Sequence, residues 1–432
     1  MKRLLTGYSL FVFAALSVHA QKMASPNTTI DFAPLPLPSM TQQLTWFAGG
    51  DLWYGENSAE VANLTNLGIG WARSTFGFGS PSTDTFAWRT VQNGGPSSWD
   101  WTGADKEIDF LQSLHVNVVV QLQQGNQDPP WTISLSTNDY VAAKAAFINA
   151  LAARYGSKIW GIEVENEPQP GSSGPQWKPG GYLAYDRHLA ILAASQPARA
   201  YTRLVGWACQ GTFDGWLKYL LARGLTNLCD AISWHCYVQG GVGQGQPVES
   251  PLQSHGSPDI YTGTMGEFMQ WLHSQVGAMP ILVDEVGLAP EVPMRMAKVL
   301  VILRASNATM CQLHVWSGGA PPGNLAAFDS VTGRPFRHAV IAAWTAYWLG
   351  NDTLVSQTID SNVFVYAFGN RTFAWCLEGT VRGCEAAGWD SVTDIYGHKT
   401  TPTVLTDAVT VFHGAGTLTL TNSSSWRILQ MQ

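Results

Sequence analysis

Two segments of the chain end apolar runs in carboxylates. One is Trp160-Gly161-Ile162-Glu163-Val164-Glu165-Asn166-Glu167-Pro168, and the other is Met279-Pro280-Ile281-Leu282-Val283-Asp284-Glu285-Val286-Gly287. Short apolar runs of this kind read as buried strands. A buried carboxylate is costly unless it is paired, so an acidic ending on such a strand points to a site more than to a solvated loop. Side chains alternate along a strand, which predicts Glu163, Glu165 and Glu167 on one face. Pro168 predicts an extended backbone at Glu167. Two carboxyl groups about 5–5.5 Å apart can act together at a sugar carbon, one attacking it while the other protonates the leaving oxygen. Their mutual repulsion would raise the pKa of one and keep it protonated for the acid role.

Such a pair needs a frame that brings two strand ends together. From Leu44 to about Gly350, short apolar runs alternate with amphipathic helical stretches, the pattern of a parallel α/β fold. Eight strands are predicted: Leu44–Ala48, Ile69–Thr75, Val116–Gln121, Ile159–Glu165, Thr202–Ala208, Ala231–His235, Pro280–Asp284 and Met310–Trp316. Helices are expected over 105–114, 140–155, 182–194, 213–222, 265–276, 293–304 and 336–349. The fold class is therefore α/β, a (β/α)8 barrel. An open doubly wound sheet fits less well, because no Gly-rich phosphate loop follows the first strand. In a barrel the C-terminal strand ends carry the chemistry, and strands four and seven would set Glu167 and Glu285 across its mouth. After Gly350 the helical pattern stops, and short strands with a Gly369-Asn370 turn predict a small all-β, sandwich-like module. The expected division is a signal peptide over 1–20, a Pro-rich arm over 21–43, the barrel over 44–350 and the β-module over 351–432.

These motifs, in this order, resemble clan A of the glycoside hydrolases, the group that includes families 5, 30, 39 and 79. Members carry the acid/base as the Glu of an Asn-Glu pair after strand four, matched by Asn166-Glu167-Pro168, and the nucleophile after strand seven, matched by Asp284-Glu285. The resemblance implies a retaining β-glycosidase with a carbohydrate substrate and without cofactor or metal. It implies that Asn166 binds the sugar 2-hydroxyl and that Arg73, in Gly70-Trp71-Ala72-Arg73-Ser74, pairs with the nucleophile. It also implies that His235 and Tyr237, in His235-Cys236-Tyr237, line the same subsite and that Trp316 forms an aromatic platform. Strand three ends in Gln121 and Gln123, a departure from many members that leaves the subfamily unassigned.

The residues alone also admit a structural ion pair at Arg73, a hydrogen-bonded core imidazole at His235 and a core ring at Trp316. Glu163 and Glu165 are expected to position the acid or to bind sugar hydroxyls. Nineteen Trp exceed what the core requires, and Trp131 and Trp177 sit in loops where they could stack on sugars. The long Gly77–Asp100 loop, with Trp88 and Trp99, would shape the substrate groove. Two rival readings have their own requirements. A silent carbohydrate-binding barrel predicts loss of one carboxylate, yet both are present. A metal-dependent hydrolase or lyase needs a clustered His/Asp set, which the predicted strand ends do not supply.

Composition bounds the rest. Charged residues make up 13% and hydrophobic residues 45%, which supports a large core and argues against disorder. Lys2 and Arg3, the apolar run Leu10–Leu16 and Val18-His19-Ala20 read as a secretory signal, so a secreted or periplasmic protein is expected. Loss of those two cations would take the formal charge from −7 to −9, a poor balance for binding nucleic acid. No later run is long and apolar enough to predict a membrane helix. Of six Cys, Cys376 and Cys384 are the best candidates for a disulfide.

Overall fold

The computed structural model describes residues 37–51, 58–74, 86–123, 128–168, 182–210, 214–236, 248–249, 263–287, 294–313, 317–318, 328–329 and 334–421. Eight parallel strands close into a barrel in the order β1-β2-β3-β4-β5-β6-β7-β8, with β1 pairing β8. They are β1 Phe47–Asp51, β2 Trp71–Ser74, β3 Asn117–Gln121, β4 Gly161–Glu163, β5 Arg203–Gln210, β6 Ala231–Cys236, β7 Ile281–Val286 and β8 Met310–Leu313. The helices are α1 Ser58–Asn66, α2 Trp88–Val91, α3 Thr102–Ser113, α4 Thr137–Tyr155, α5 Tyr182–Ala194, α6 Asp214–Ala222, α7 Leu225–Leu228, α8 Met265–Val276, α9 Met294–Ala305 and α10 Arg337–Leu349.

The sequence pattern places α5 and α8 to the residue, but α1 has no counterpart in it. Among the described side chains of that helix only Leu64 is buried, so its apolar stripe is too thin to read. Local chemistry starts the longer helices. The Ser136 hydroxyl accepts from the Asp139 amide ahead of α4, and Thr264 with Glu267 closes a reciprocal capping box ahead of α8.

The barrel interior is built in layers. Ala48, Trp71, Val119, Val205, Ala231, Leu282 and Met310, one from each of seven strands, pack on one another and seal the lower barrel. The alternation of strand side chains then dictates what lies one step further along. Two residues beyond these positions, or beyond Gly161 on β4, stand Arg73, Gln121, Glu163, Ser233, Asp284 and Gln312, all buried. An apolar floor thus carries a polar layer toward the C-terminal strand ends. This is where the site forms.

Two-residue strands β9 Ser317–Gly318 and β10 Phe328–Asp329 pair with each other in the region after β8. Beyond α10 come β11 Leu354–Asp360, β12 Val363–Phe368, β13 Arg371–Cys376, β14 Arg382–Ala387, β15 Ser391–Asp394, β16 Val404–Leu405, β17 Thr410–His413 and β18 Thr417–Leu420. They make a five-stranded sheet, β11-β12-β13-β17-β15, and a three-stranded sheet, β16-β14-β18. The sequence pattern showed only half of these strands: β14 is six residues long but carries no apolar run, and β15 to β17 have four residues or fewer. Gly369, with φ +51, turns the β12–β13 hairpin as expected. A half-buried ion pair and a buried one tie the sheets to the barrel. Arg295 on α9 meets Glu378 at 2.8 Å, and Lys298 on α9 meets Glu249 at 2.8 Å, which also accepts from Trp375 Nε1 at 2.6 Å.

The expected Cys376–Cys384 disulfide is not formed. Both are free thiols. They end up in different sheets, each aimed at a backbone carbonyl: Cys376 Sγ at Leu405 O, 3.3 Å, and Cys384 Sγ at Pro402 O, 3.7 Å.

At the entry to β2, a Cβ on Gly70 would lie 1.7 Å from the Leu44 carbonyl oxygen, which is fixed backbone. Gly70→Ala should therefore lose about 2 kcal/mol or more of stability, read from the denaturant midpoint. Gly266→Ala in α8, where the nearest atom would be an ordinary 3.6 Å contact, should be neutral or gain up to ~1 kcal/mol.

Candidate active site

Arg73 rises from β2 into the centre of the polar layer and is fully buried. Its guanidinium uses each nitrogen. Nε and Nη2 donate to the two oxygens of Glu163 on β4, at 3.0 and 2.6 Å. Nη1 donates to Glu285 Oε1 at 2.8 Å, and Nη2 also reaches Asn166 Oδ1 at 3.0 Å. Asp284 Oδ2 lies 3.5 Å from Nε. The planar fork suits this task, since it serves two carboxylates in fixed directions at once. Burial alone would weaken its protonation, but Glu163, Asp284 and Glu285 outweigh burial and hold the charge in place.

His235 at the end of β6 joins the two proposed catalytic groups. Its Nδ1 lies 2.8 Å from Glu167 Oε1 and 3.1 Å from Glu285 Oε2. One oxygen of each carboxylate and this nitrogen all fall within 4.8 Å of one another. Burial would lower the imidazole pKa, but Glu285 and Glu167 hold it above the ordinary histidine range.

Adjacent strand residues normally point to opposite sides, yet Asp284 and Glu285 both reach this cluster. A bulge explains it. In the β6–β7 ladder Trp234 pairs with Val283 and His235 with Glu285, leaving Asp284 as the extra residue. Burial and the neighbouring Glu163 raise the Asp284 pKa well above the ordinary carboxylate range. Asp284 therefore keeps its proton to higher pH than an exposed carboxyl would.

The shared face expected for Glu163, Glu165 and Glu167 is corrected. β4 ends at Glu163, and beyond it the alternation fails. Glu165 turns away from the mouth and is enclosed against α5, with Oε2 2.9 Å from His188 Nδ1 and Oε1 3.8 Å from Arg187. It is therefore not a substrate-binding residue. Nor is Glu167 extended. Its φ is +47, and its amide donates to Ala208 O on β5 at 2.7 Å. Pro168 disfavours the right-handed helical region but leaves this one open, and the bond to β5 selects it.

The structure brings Arg73, Asn166, Glu167, His235 and Glu285 into one cluster. Tyr237, Trp316 and Trp177 lie outside the described residues. Trp131, half-buried, packs edge-on against the buried Trp88, with its Nε1 donating to Gln92 O at 3.0 Å. Trp99, 39% exposed, stacks on Trp101. Sequence reasoning missed Asp284 as a member of the cluster, because strict alternation admits only one of Asp284 and Glu285 to the barrel interior, and it missed His188, which has no signal in an amphipathic helix. Glu163 was legible as a carboxylate two residues along from the apolar floor.

The strand ends do supply clustered ligand sets, contrary to the sequence reading. Glu163, His235 and Asp284 form one, and Glu167, His235 and Glu285 another, each with its atoms within 4.8 Å. The guanidinium of Arg73, in direct contact with Glu163 and Glu285, already supplies the positive charge that a cation would bring to these carboxylates.

No protein-family profile and no curated protein sequence matches the chain. Solved structures do match in fold. A family 39 glycoside hydrolase from the gut symbiont Bacteroides cellulosilyticus WH2 superposes with a TM-score of 0.67 at 13% identity, over 86% of this chain and 81% of that one. A family 30 subfamily 8 xylanase from Clostridium acetobutylicum gives 0.54 at 14% identity, over 87% and 97%. Both neighbours are glycoside hydrolases of families that the strand-four and strand-seven motifs resemble, and at these identities the likeness is one of fold.

The raised Asp284 pKa has a consequence for stability. Its native value lies above the unfolded value of about 3.9, so its share of stability is present below that pH and is lost as pH rises through the native value. Asp284→Asn removes the loss. The variant should gain on the parent as pH rises from about 4, by at most ~1.4 kcal/mol per pH unit. Urea midpoints across pH read the difference, and a gap that stays flat with pH contradicts it.

Proposed function

We propose that the chain is a secreted retaining glycoside hydrolase that cleaves β-linked sugars of cell-wall poly- or oligosaccharides. The observation that carries this reading is the meeting of Glu167 and Glu285 at His235 Nδ1, with carboxylate oxygens within 4.8 Å. This closeness favours the ~5–5.5 Å carboxyl spacing of double displacement over the wider gap that an inverting pair leaves for a water.

Glu285, its negative charge stabilised by Arg73, attacks the anomeric carbon as the bond to the leaving oxygen breaks. Glu167 gives its proton to that oxygen. Water then opens the covalent glycosyl–Glu285 ester: its hydroxyl adds to the anomeric carbon as the bond to Glu285 breaks and frees that carboxylate, and its proton goes to Glu167. His235 contacts both carboxylates, so it can steady whichever is anionic at each step. Asn166, whose Oδ1 accepts from Arg73 at 3.0 Å, is the candidate for binding the sugar 2-hydroxyl. Tyr237 follows β6 directly in sequence, Trp316 lies three residues past the end of β8, and both are candidates for the same subsite. Residues 1–20 would direct export and be removed.

Glu285→Gln should lower turnover of nitrophenyl β-glycosides by roughly four orders of magnitude or more, with the fold intact by circular dichroism. Proton NMR of the first product should show the β-anomer. An α-anomer would overturn the double-displacement mechanism, and full activity of the variant would overturn the assignment.

A further inference from the structure

Behind Glu167 lies a second buried acid–imidazole pair with no part in the reaction as described. His188, on α5, is fully buried. Its Nδ1 lies 2.9 Å from Glu165 Oε2, and its Nε2 accepts the Trp207 amide at 3.3 Å. That acceptor role leaves Nδ1 as the protonated nitrogen, so the ring donates to Glu165.

Trp207 is available because β5 is bulged. In the β5–β6 ladder Gly206 pairs with Ile232 and Cys209 with Trp234, and Trp207 adopts φ +68. A buried aromatic residue in this region is a costly conformation that the surroundings must impose. The next residue, Ala208, uses its carbonyl to accept the Glu167 amide at 2.7 Å. Glu167 has the second left-handed backbone of the set, φ +47.

These contacts close a ring. It runs from the Glu165 side chain through His188 to the Trp207 amide, along the chain to Ala208 O, across to the Glu167 amide, and back through Asn166 to Glu165. Both strained residues sit in it, as does the segment that carries Asn166 and Glu167. We propose that Glu165 and His188 are a positioning pair that fixes the strained end of β4 and so aims Glu167, an inference that rests on the glycosidase reading above.

The pair is itself braced. Arg187 reaches Glu165 at 3.8 Å and lies over the Tyr140 ring. Lys144 and Tyr140 on α4 both bond Asp128, at 3.0 and 2.9 Å. Burial would raise the Glu165 pKa, but Arg187, the His188 hydrogen bond and Lys144 hold it below the ordinary range. The carboxylate therefore stays an acceptor for His188 through the working pH range.

A positioning defect has a signature that a loss of stability lacks. Misaimed proton donation slows substrates whose leaving group needs the proton and spares those whose leaving group does not. His188→Leu and Glu165→Gln are compared with the parent on phenyl and dinitrophenyl β-glycosides of the sugar that a nitrophenyl panel identifies. The expected result is a loss of ~10- to 100-fold in kcat/KM on the phenyl glycoside and under ~3-fold on the dinitrophenyl glycoside. His188→Asn, which retains a donor for Glu165, should recover part of the loss. Equal losses on both substrates, or none, overturn the proposal while leaving the glycosidase reading intact.

Hydrogen exchange of the peptide spanning 164–168 gives a readout independent of turnover. The Glu167 amide should lose protection in His188→Leu, and unchanged protection there also overturns the proposal. Should the Leu variant not fold, Glu165→Gln, which keeps shape and an acceptor, carries the same two measurements. A parent that cleaves no glycoside in the panel would instead defeat the functional reading, and exchange at Glu167 would still decide the positioning claim.

Discussion

The guanidinium of Arg73 is a full charge with no exposure to water, set among three carboxyl side chains. Taking such an ion out of solvent costs several kcal/mol unless its donors are all answered in good geometry. Here Glu163 takes the fork side-on and Glu285 takes the remaining nitrogen. Glu163 has no solvent contact and is saturated by the guanidinium, so its place is structural. Glu285 receives one bond from Arg73 and one contact from His235, and it lies nearer the opening. The same cation thus anchors one acid and presents the other.

Two local violations of strand regularity make this arrangement possible. The β7 bulge turns consecutive residues, Asp284 and Glu285, toward the same cluster. The β5 bulge frees the Trp207 amide for His188 and supplies Ala208 O to Glu167. Bulges re-aim side chains at the rims of barrels, and here each stands beside one of the two proposed catalytic carboxylates. The apolar floor of the barrel is regular by comparison, one side chain from each of seven strands. Regular packing below supports irregular backbone above, where the strain at Glu167 and Trp207 is concentrated.

Much of this was legible in the sequence because it follows from periodicity. Apolar runs spaced between helical stretches placed eight strands and their closing helix. The acidic endings of strands four and seven singled out Glu167 and Glu285, and Arg73 stands where its strand meets the polar layer. What was not legible depends on register. No feature of Val283-Asp284-Glu285 announces an extra residue, so strict alternation admits only one of Asp284 and Glu285 to the barrel interior. Glu165 reads as inward for the same reason, since alternation carries past Glu163 only on paper. His188 is one polar residue on a helix otherwise chosen for burial. The Cys376–Cys384 pair looked close in sequence, but the chain between them crosses from one sheet to the other.

The central claim is that Glu285, held by Arg73 and facing Glu167, forms the bond to the sugar. An activated glycoside fluorinated beside its anomeric carbon slows the second step and traps that bond. Incubation followed by proteolysis and mass spectrometry should find one sugar per chain, on the peptide that contains Glu285. A label on the peptide holding Glu163 and Glu167, or hydrolysis of the parent substrate with no trapped adduct and inverted product, would contradict the account.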